Sequence, residues 1–207
     1  LLSRRQRQRC IRDRYTITPP AGDPVTQADS PGDIYLTDIT ESGTYEDGYN
    51  RVLNLEGGIY TKLQLWNVAG TAGGVTLGGT NSFVINIGAG TSLLNTNPQL
   101  MGWSNQDRIV AADITLNVDQ NAGTINGFCL VGDGNKTDAF QTTGTYIVNI
   151  HGGEWAGTSV SSPGARWCIG LGQESFRHTG DVTFTIDGGT FAQLVTCLLY
   201  TSPSPRD

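Results

Sequence analysis

The stretch VNIHGGEW at 148–155 decides how this chain is read, because it returns as FTIDGGTF at 184–191 and, upstream, as LNLEGGIY at 53–60. Its apolar–polar–apolar opening recurs more widely still. It appears as Leu53-Asn54-Leu55, Ile85-Asn86-Ile87, Leu116-Asn117-Val118, Val148-Asn149-Ile150 and Phe184-Thr185-Ile186, at steps of 32, 31, 32 and 36 residues. Self-similarity at a fixed period is the signature of a repeat architecture.

Each occurrence alternates with period two, the pattern of a half-buried strand. One face carries Phe83/Ile85/Ile87, Ile114/Leu116/Val118 and Tyr146/Val148/Ile150, all apolar, and is expected to point inward. The other face carries a β-branched column, an Asn/Thr column and a polar column. Columns alike in kind are expected where repeats stack in parallel about 4.8 Å apart, and Asn ladders stabilise such stacks by amide–amide hydrogen bonds. The pairs Gly57-Gly58, Gly152-Gly153 and Gly188-Gly189 follow their strands directly, which suits a corner at positive φ. Phe128-Cys129-Leu130 and Trp167-Cys168-Ile169 align as equivalent positions of successive rungs, which predicts Cys129 beside Cys168 in a buried column. Whether the two pair stays open. Gly-rich composition, sparse Pro and the lack of helical periodicity complete an all-β reading: a right-handed parallel β-helix, or β-solenoid, of about five rungs.

The phrases VNIHGGEW and FTIDGGTF resemble the rung phrases of right-handed parallel β-helix proteins, the pectate-lyase-like superfamily and its bacterial surface relatives. The resemblance covers roughly 50–196, taken as the β-helix domain, with 15–49 as an N-terminal cap segment. It implies a fold and leaves the chemistry open.

Both ends differ from the Gly/Thr/Asn-rich middle. Cys10–Arg14 can be encoded by DNA whose reverse complement, in one frame, gives Cys-Leu-Leu-Tyr-Thr, the sequence of Cys197–Thr201. Residues 1–14 and 197–207 are therefore expected to be translated sequencing adapter on a metagenomic fragment. Seven of the 13 Lys+Arg and two of the 19 Asp+Glu lie in these ends. The remaining 182 residues carry 6 basic and 17 acidic groups, net −11. That balance argues against nucleic acid, whose binding surfaces are basic, and suits cations or neutral glycans. No apolar run is long enough to span a membrane as a helix. Two remaining cysteines define neither a disulfide scaffold nor a zinc site.

For the pectin-degrading enzymes of this superfamily, the resemblance implies clustered Asp with Arg or Lys. The paired Asp residues, Gly-His-Gly and basic tripeptide of the hydrolases are missing, and His151-Gly152-Gly153 aligns with the plain corners at 56–58 and 187–189. No catalytic residue is assigned. The sharpest constellation is the outward face with Asn117, Asp119, Asn149, His151 and Asp187, where His151 should stand between Asp119 and Asp187 and where a ligand would bind. Most polar columns of this kind are only solvated sheet surface. The loop VGDGNKTD at 131–138 offers Asp133, Asn135 and Asp138 as oxygen donors. No cofactor is assigned; Ca²⁺ at this loop is left open, as is a divalent ion at the polar column, and a plain turn explains the loop residues. Trp66, Trp103, Trp155 and Trp167 could stack on sugars, although rung packing is favoured for Trp155 and Trp167. The expected function is that of a non-enzymatic segment of a secreted or cell-surface bacterial protein, adhesin-like and contacting glycans or host-surface components. The alternatives are a fragment of a carbohydrate-active β-helix enzyme, lyase or hydrolase, and a structural stalk.

Overall fold

A computed structural model describes residues 15–17, 33–46, 48–60, 62–66, 74–94, 100, 108–126, 128–129, 140–156, 169–170 and 176–192. Among them there are strands and turns and no helix. The recurring phrase forms a central sheet of six parallel strands. Tyr15–Ile17 leads, followed by Asn50–Leu55, Ser82–Ile87, Asp113–Val118, Tyr146–Ile150 and Val182–Ile186. The register is the one that the sequence alignment predicts. Leu53 pairs with Ile85, Ile85 with Leu116, Leu116 with Val148, and Val148 with Phe184. Only identical alternation in every repeat allows this, because a slip of one residue would turn each inward side chain to water.

A second sheet precedes the central strand in each turn, with members Gly43–Tyr45, Val75–Leu77, Arg108–Ala111, Phe140–Thr143 and Phe176–His178. A third follows it, with Gly58–Tyr60, Thr91–Leu93, Thr124–Ile125, Glu154–Trp155 and Thr190–Phe191. All pairings are parallel, so the chain is a β-solenoid. Two-stranded parallel pairs join Asp33–Tyr35 to Lys62–Gln64 and Phe128–Cys129 to Ile169–Gly170. In the latter pair Phe128 stands beside Ile169 and Cys129 beside Gly170. This corrects the expected alignment by two residues: Cys129 has no cysteine neighbour on that strand, and Cys168 lies outside the described residues. A two-residue offset leaves a period-two pattern unchanged, so alternation alone could not detect it.

The interior is sealed over about three turns, fewer than the five rungs expected. From Asn50–Leu55 to Tyr146–Ile150 the inward residues Leu55, Phe83, Ile85, Leu116, Val118, Tyr146 and Ile150 are buried. On the last strand Val182 and Phe184 are only half-buried, and Ile186 is 40% exposed. A solenoid rung is closed by the rung on either side of it, so the last described strand is in register and yet partly exposed. Residues 1–14 and 197–207 lie outside the described residues.

The corners explain the glycines. Gly153 and Gly189 hold φ of 89° and 96°, and Gly57 and Gly58 hold 87° and 94°. The first glycine of the later pairs is needed for a different reason. A Cβ at Gly152 would collide with the backbone of Gln120, and one at Gly188 with the His151 carbonyl. The second turn uses another solution in the same column. Thr91, fully buried, donates its hydroxyl to the Leu55 carbonyl at 3.0 Å and accepts from the Gly57 amide at 2.9 Å.

Candidate functional site: the outer face of the central sheet

Parallel stacking turns the outward positions of the central strands into straight columns. The innermost polar column is a hydrogen-bonded amide ladder. Asn149 Nδ2 donates to Asn117 Oδ1 at 2.9 Å, Asn117 Nδ2 to Asn86 Oδ1 at 2.7 Å, and Asn86 Nδ2 to Asn54 Oδ1 at 2.6 Å. Asn54 Nδ2 then donates to Thr16 Oγ1 at 3.1 Å. Every donor points toward the preceding rung, so the amide dipoles align and reinforce one another. Among the described residues the ladder ends at Asn149 and is not carried on to Thr185. The four amides are half-buried, so each retains some access to solvent.

Two residues earlier on each strand lies a second column, Val52, Val84, Thr115, Ile147 and Thr183, in register across the sheet. Its first four members are half-buried. They place a track of methyl groups beside the amides, one step per rung. The acids stand at the sides. Asp113 opens its strand and Asp181 precedes its own, Glu56, Asp119 and Asp187 follow theirs, and all five are exposed.

The expected column Asp119, His151, Asp187 is present, held by backbone bonds from Asp119 N to Ile87 O, His151 N to Val118 O and Asp187 N to Ile150 O. Its side chains do not behave alike. His151 Nδ1 lies 2.7 Å from Asp187 Oδ1, with the two side chains 48% and 60% exposed. A carboxylate can only accept, so Nδ1 carries the proton of this bond and Nε2 is left for other partners. Asp119 instead accepts the Asn121 amide at 2.7 Å, closing its own turn. Local side-chain-to-backbone bonding competes with cross-rung contact in this way. The structure therefore joins His151 to one of its two neighbouring acids. Exposed pairs of this kind contribute about 1 kcal/mol or less.

Asp133, Asn135 and Asp138 lie outside the described residues, as do Trp103 and Trp167. Among the described residues no group of three His, Cys, Asp or Glu side chains could hold a metal ion. Trp66 and Trp155 are buried. Trp155 donates Nε1 to the Gly152 carbonyl at 3.0 Å and stacks on Phe191 at 5.7 Å between ring centroids. Both therefore pack within the rungs and do not form a sugar platform.

The sequence did not reveal an inward polar cluster near the last described rung. In the preceding sheet one inward column runs Tyr45, Leu77, Val110, Thr142, His178. Its last two places are polar. Thr142 Oγ1 and His178 Nδ1 are 2.8 Å apart, and the His178 ring stacks on Tyr146 at 4.3 Å. Burial pushes the Tyr146 phenol well up, and the neighbouring Thr142 hydroxyl offsets only part of that effect. For His178 burial lowers the imidazole pKa from 6.5. Backbone bonds at Asp181, Gly180 and Thr142 and the Asp181 charge act in the opposite direction without overcoming it. The unfolded chain therefore takes up this proton first as pH falls. His178 should leave stability unchanged above about pH 6.5 and reduce it as pH drops below that value, until the folded state is protonated as well. Urea midpoints measured from about pH 8 down to about pH 5 should fall, and His178→Gln should remove that component of the slope.

No family model matches the chain, and no curated protein and no solved structure matches it. What the fold and the face define is a class by architecture alone: a parallel β-solenoid.

Proposed function

We propose that this chain is a non-enzymatic β-solenoid segment of a secreted or cell-surface bacterial protein, adhesin-like, whose outer central-sheet face binds glycans. The observation that carries this reading is the continuous amide ladder from Asn54 to Asn149. Each amide has two N–H donors and an oxygen with two lone pairs, and the ladder uses one of each at Asn54, Asn86 and Asn117. One donor and one acceptor per rung remain for hydroxyl groups. The rung phrases and the stacked parallel sheets support a place among the right-handed pectate-lyase-like β-helices. The coding symmetry of the two ends supports reading them as adapter. The Ca²⁺ reading at Asp133, Asn135 and Asp138 rests on residue type alone.

A glycan array probed with the full chain tests the reading. Binding is expected to be weak per sugar and to need several rungs acting together. It should be lost in the double variant Asn117→Ala/Asn149→Ala while the unfolding transition persists. One observation favours a second reading: the His151–Asp187 bond orients an imidazole as a general base would require. Calcium-dependent release of unsaturated uronides from pectate, abolished by Asp119→Ala or Asp187→Ala, would replace the binding reading with that of an enzyme.

A further inference from the structure

The same face narrows the class of glycan, and this inference rests on the binding reading above. Three features act together. First, the amide ladder and the methyl track run side by side along the solenoid axis, and both repeat once per rung, about 4.8 Å. That step is close to the length of one sugar in an extended 1,4-linked chain, whereas an extended peptide advances by about 3.3 Å per residue and drifts out of phase. Second, the surface pairs an apolar strip with a hydrogen-bonding strip, the complement of a ribbon-like sugar chain whose ring faces carry C–H groups and whose edges carry hydroxyls. Third, the acids Glu56, Asp113, Asp119, Asp181 and Asp187 stand along both sides of the strips. Among the described residues of these columns, His151, already held by Asp187, is the one basic side chain.

We infer that the face takes an extended, uncharged 1,4-linked polysaccharide laid along the axis, one sugar per rung. Its rings rest on the methyl track and its hydroxyls meet the amide ladder. The ladder is bonded along its length before any ligand arrives, so its side chains are already ordered. Pre-ordering lowers the entropic cost of association. A polyanionic chain would meet the flanking carboxylates and be repelled, most strongly at low salt where screening is weakest.

Affinity electrophoresis of the full chain through gels containing hydroxyethyl cellulose, mannan or polygalacturonate provides the test. Retardation is expected in a neutral gel and not in polygalacturonate. Calorimetry with cello- or manno-oligosaccharides should show affinity climbing with each sugar up to about four, the number of amides in the ladder, and then levelling. Val84→Glu, which sets a charge in the methyl track, should weaken binding by at least about tenfold while its cooperative unfolding transition persists. If that variant fails to fold, Thr115→Arg blocks the next rung of the track and is read in the same way. Retention by polygalacturonate alone, affinity independent of chain length, or full binding by a folded track variant would overturn the inference while leaving glycan binding intact. Silence on the array toward neutral and acidic glycans alike would instead remove the parent reading.

Discussion

Ile150→Asp should leave this chain largely unfolded at room temperature. Ile150 is fully buried in the inward column Leu55, Ile87, Val118, Ile150, Ile186. The described neighbours in that column are aliphatic, so the carboxylate would have no partner there. Burying an unpaired polar or charged group is among the few single changes that cost more than about 4 kcal/mol, against a usual total of about 5–15 kcal/mol. Ile147→Asp, three residues earlier on the same strand, is the control. Its side chain faces outward between Thr115 and Thr183, and its cost should stay near about 1 kcal/mol, the span of strand preferences. Urea titration of the two variants reads the difference directly. Equal destabilisation would mean that the two faces of the strand are not distinct, and the solenoid register would be wrong.

Asn81→Ala should be the next most damaging change, although Asn81 belongs to no recurring column. The side chain is buried and braces three consecutive turns. Its Oδ1 accepts the Tyr49 amide at 2.8 Å from the preceding turn. Its Nδ2 donates to the Gly78 carbonyl at 2.8 Å in its own turn and to the Ala111 carbonyl at 2.7 Å in the next. Truncation leaves one buried donor and two carbonyls to find new partners, at a cost of about 2–4 kcal/mol. Asn81→Asp separates hydrogen bonding from side-chain volume. It can still accept from Tyr49, but it sets a carboxylate oxygen against two carbonyls, so it should be at least as unstable as the alanine variant. Thermal unfolding of both decides, and an aspartate variant as stable as the parent would refute the brace.

The glycine corners show how different needs can share one residue type. The sequence suggests positive φ for the whole Gly-Gly motif. The structure has it at both Gly57 and Gly58, but in the later pairs only at Gly153 and Gly189, where Gly152 and Gly188 are obligatory through close approach to the preceding rung. A single sequence cannot distinguish these reasons, because both present as glycine. The same limit applies to the acids of the outer column. Asp119 and Asp187 occupy equivalent places, yet one closes its own turn and the other reaches across to His151.

By itself the sequence determined the central sheet: parallel pairing, the residue-by-residue register, the inward apolar face and the amide column. Each of these follows from a period-two pattern repeated at a near-constant step, and stacking converts such a pattern into columns without further information. The tertiary structure alone decided the rest. The strands of the preceding sheet, such as Val75–Leu77, Phe140–Thr143 and Phe176–His178, are short and share no phrase. The placement of Thr142, His178 and Tyr146 together inside the coil was therefore not legible. Nor was the brace at Asn81, since Tyr49, Ala112 and Gly144 take its place in other turns and share no chemistry with it. The number of sealed turns was also undecidable from repeats, because a repeat records that a strand can stack, whereas burial depends on what covers it.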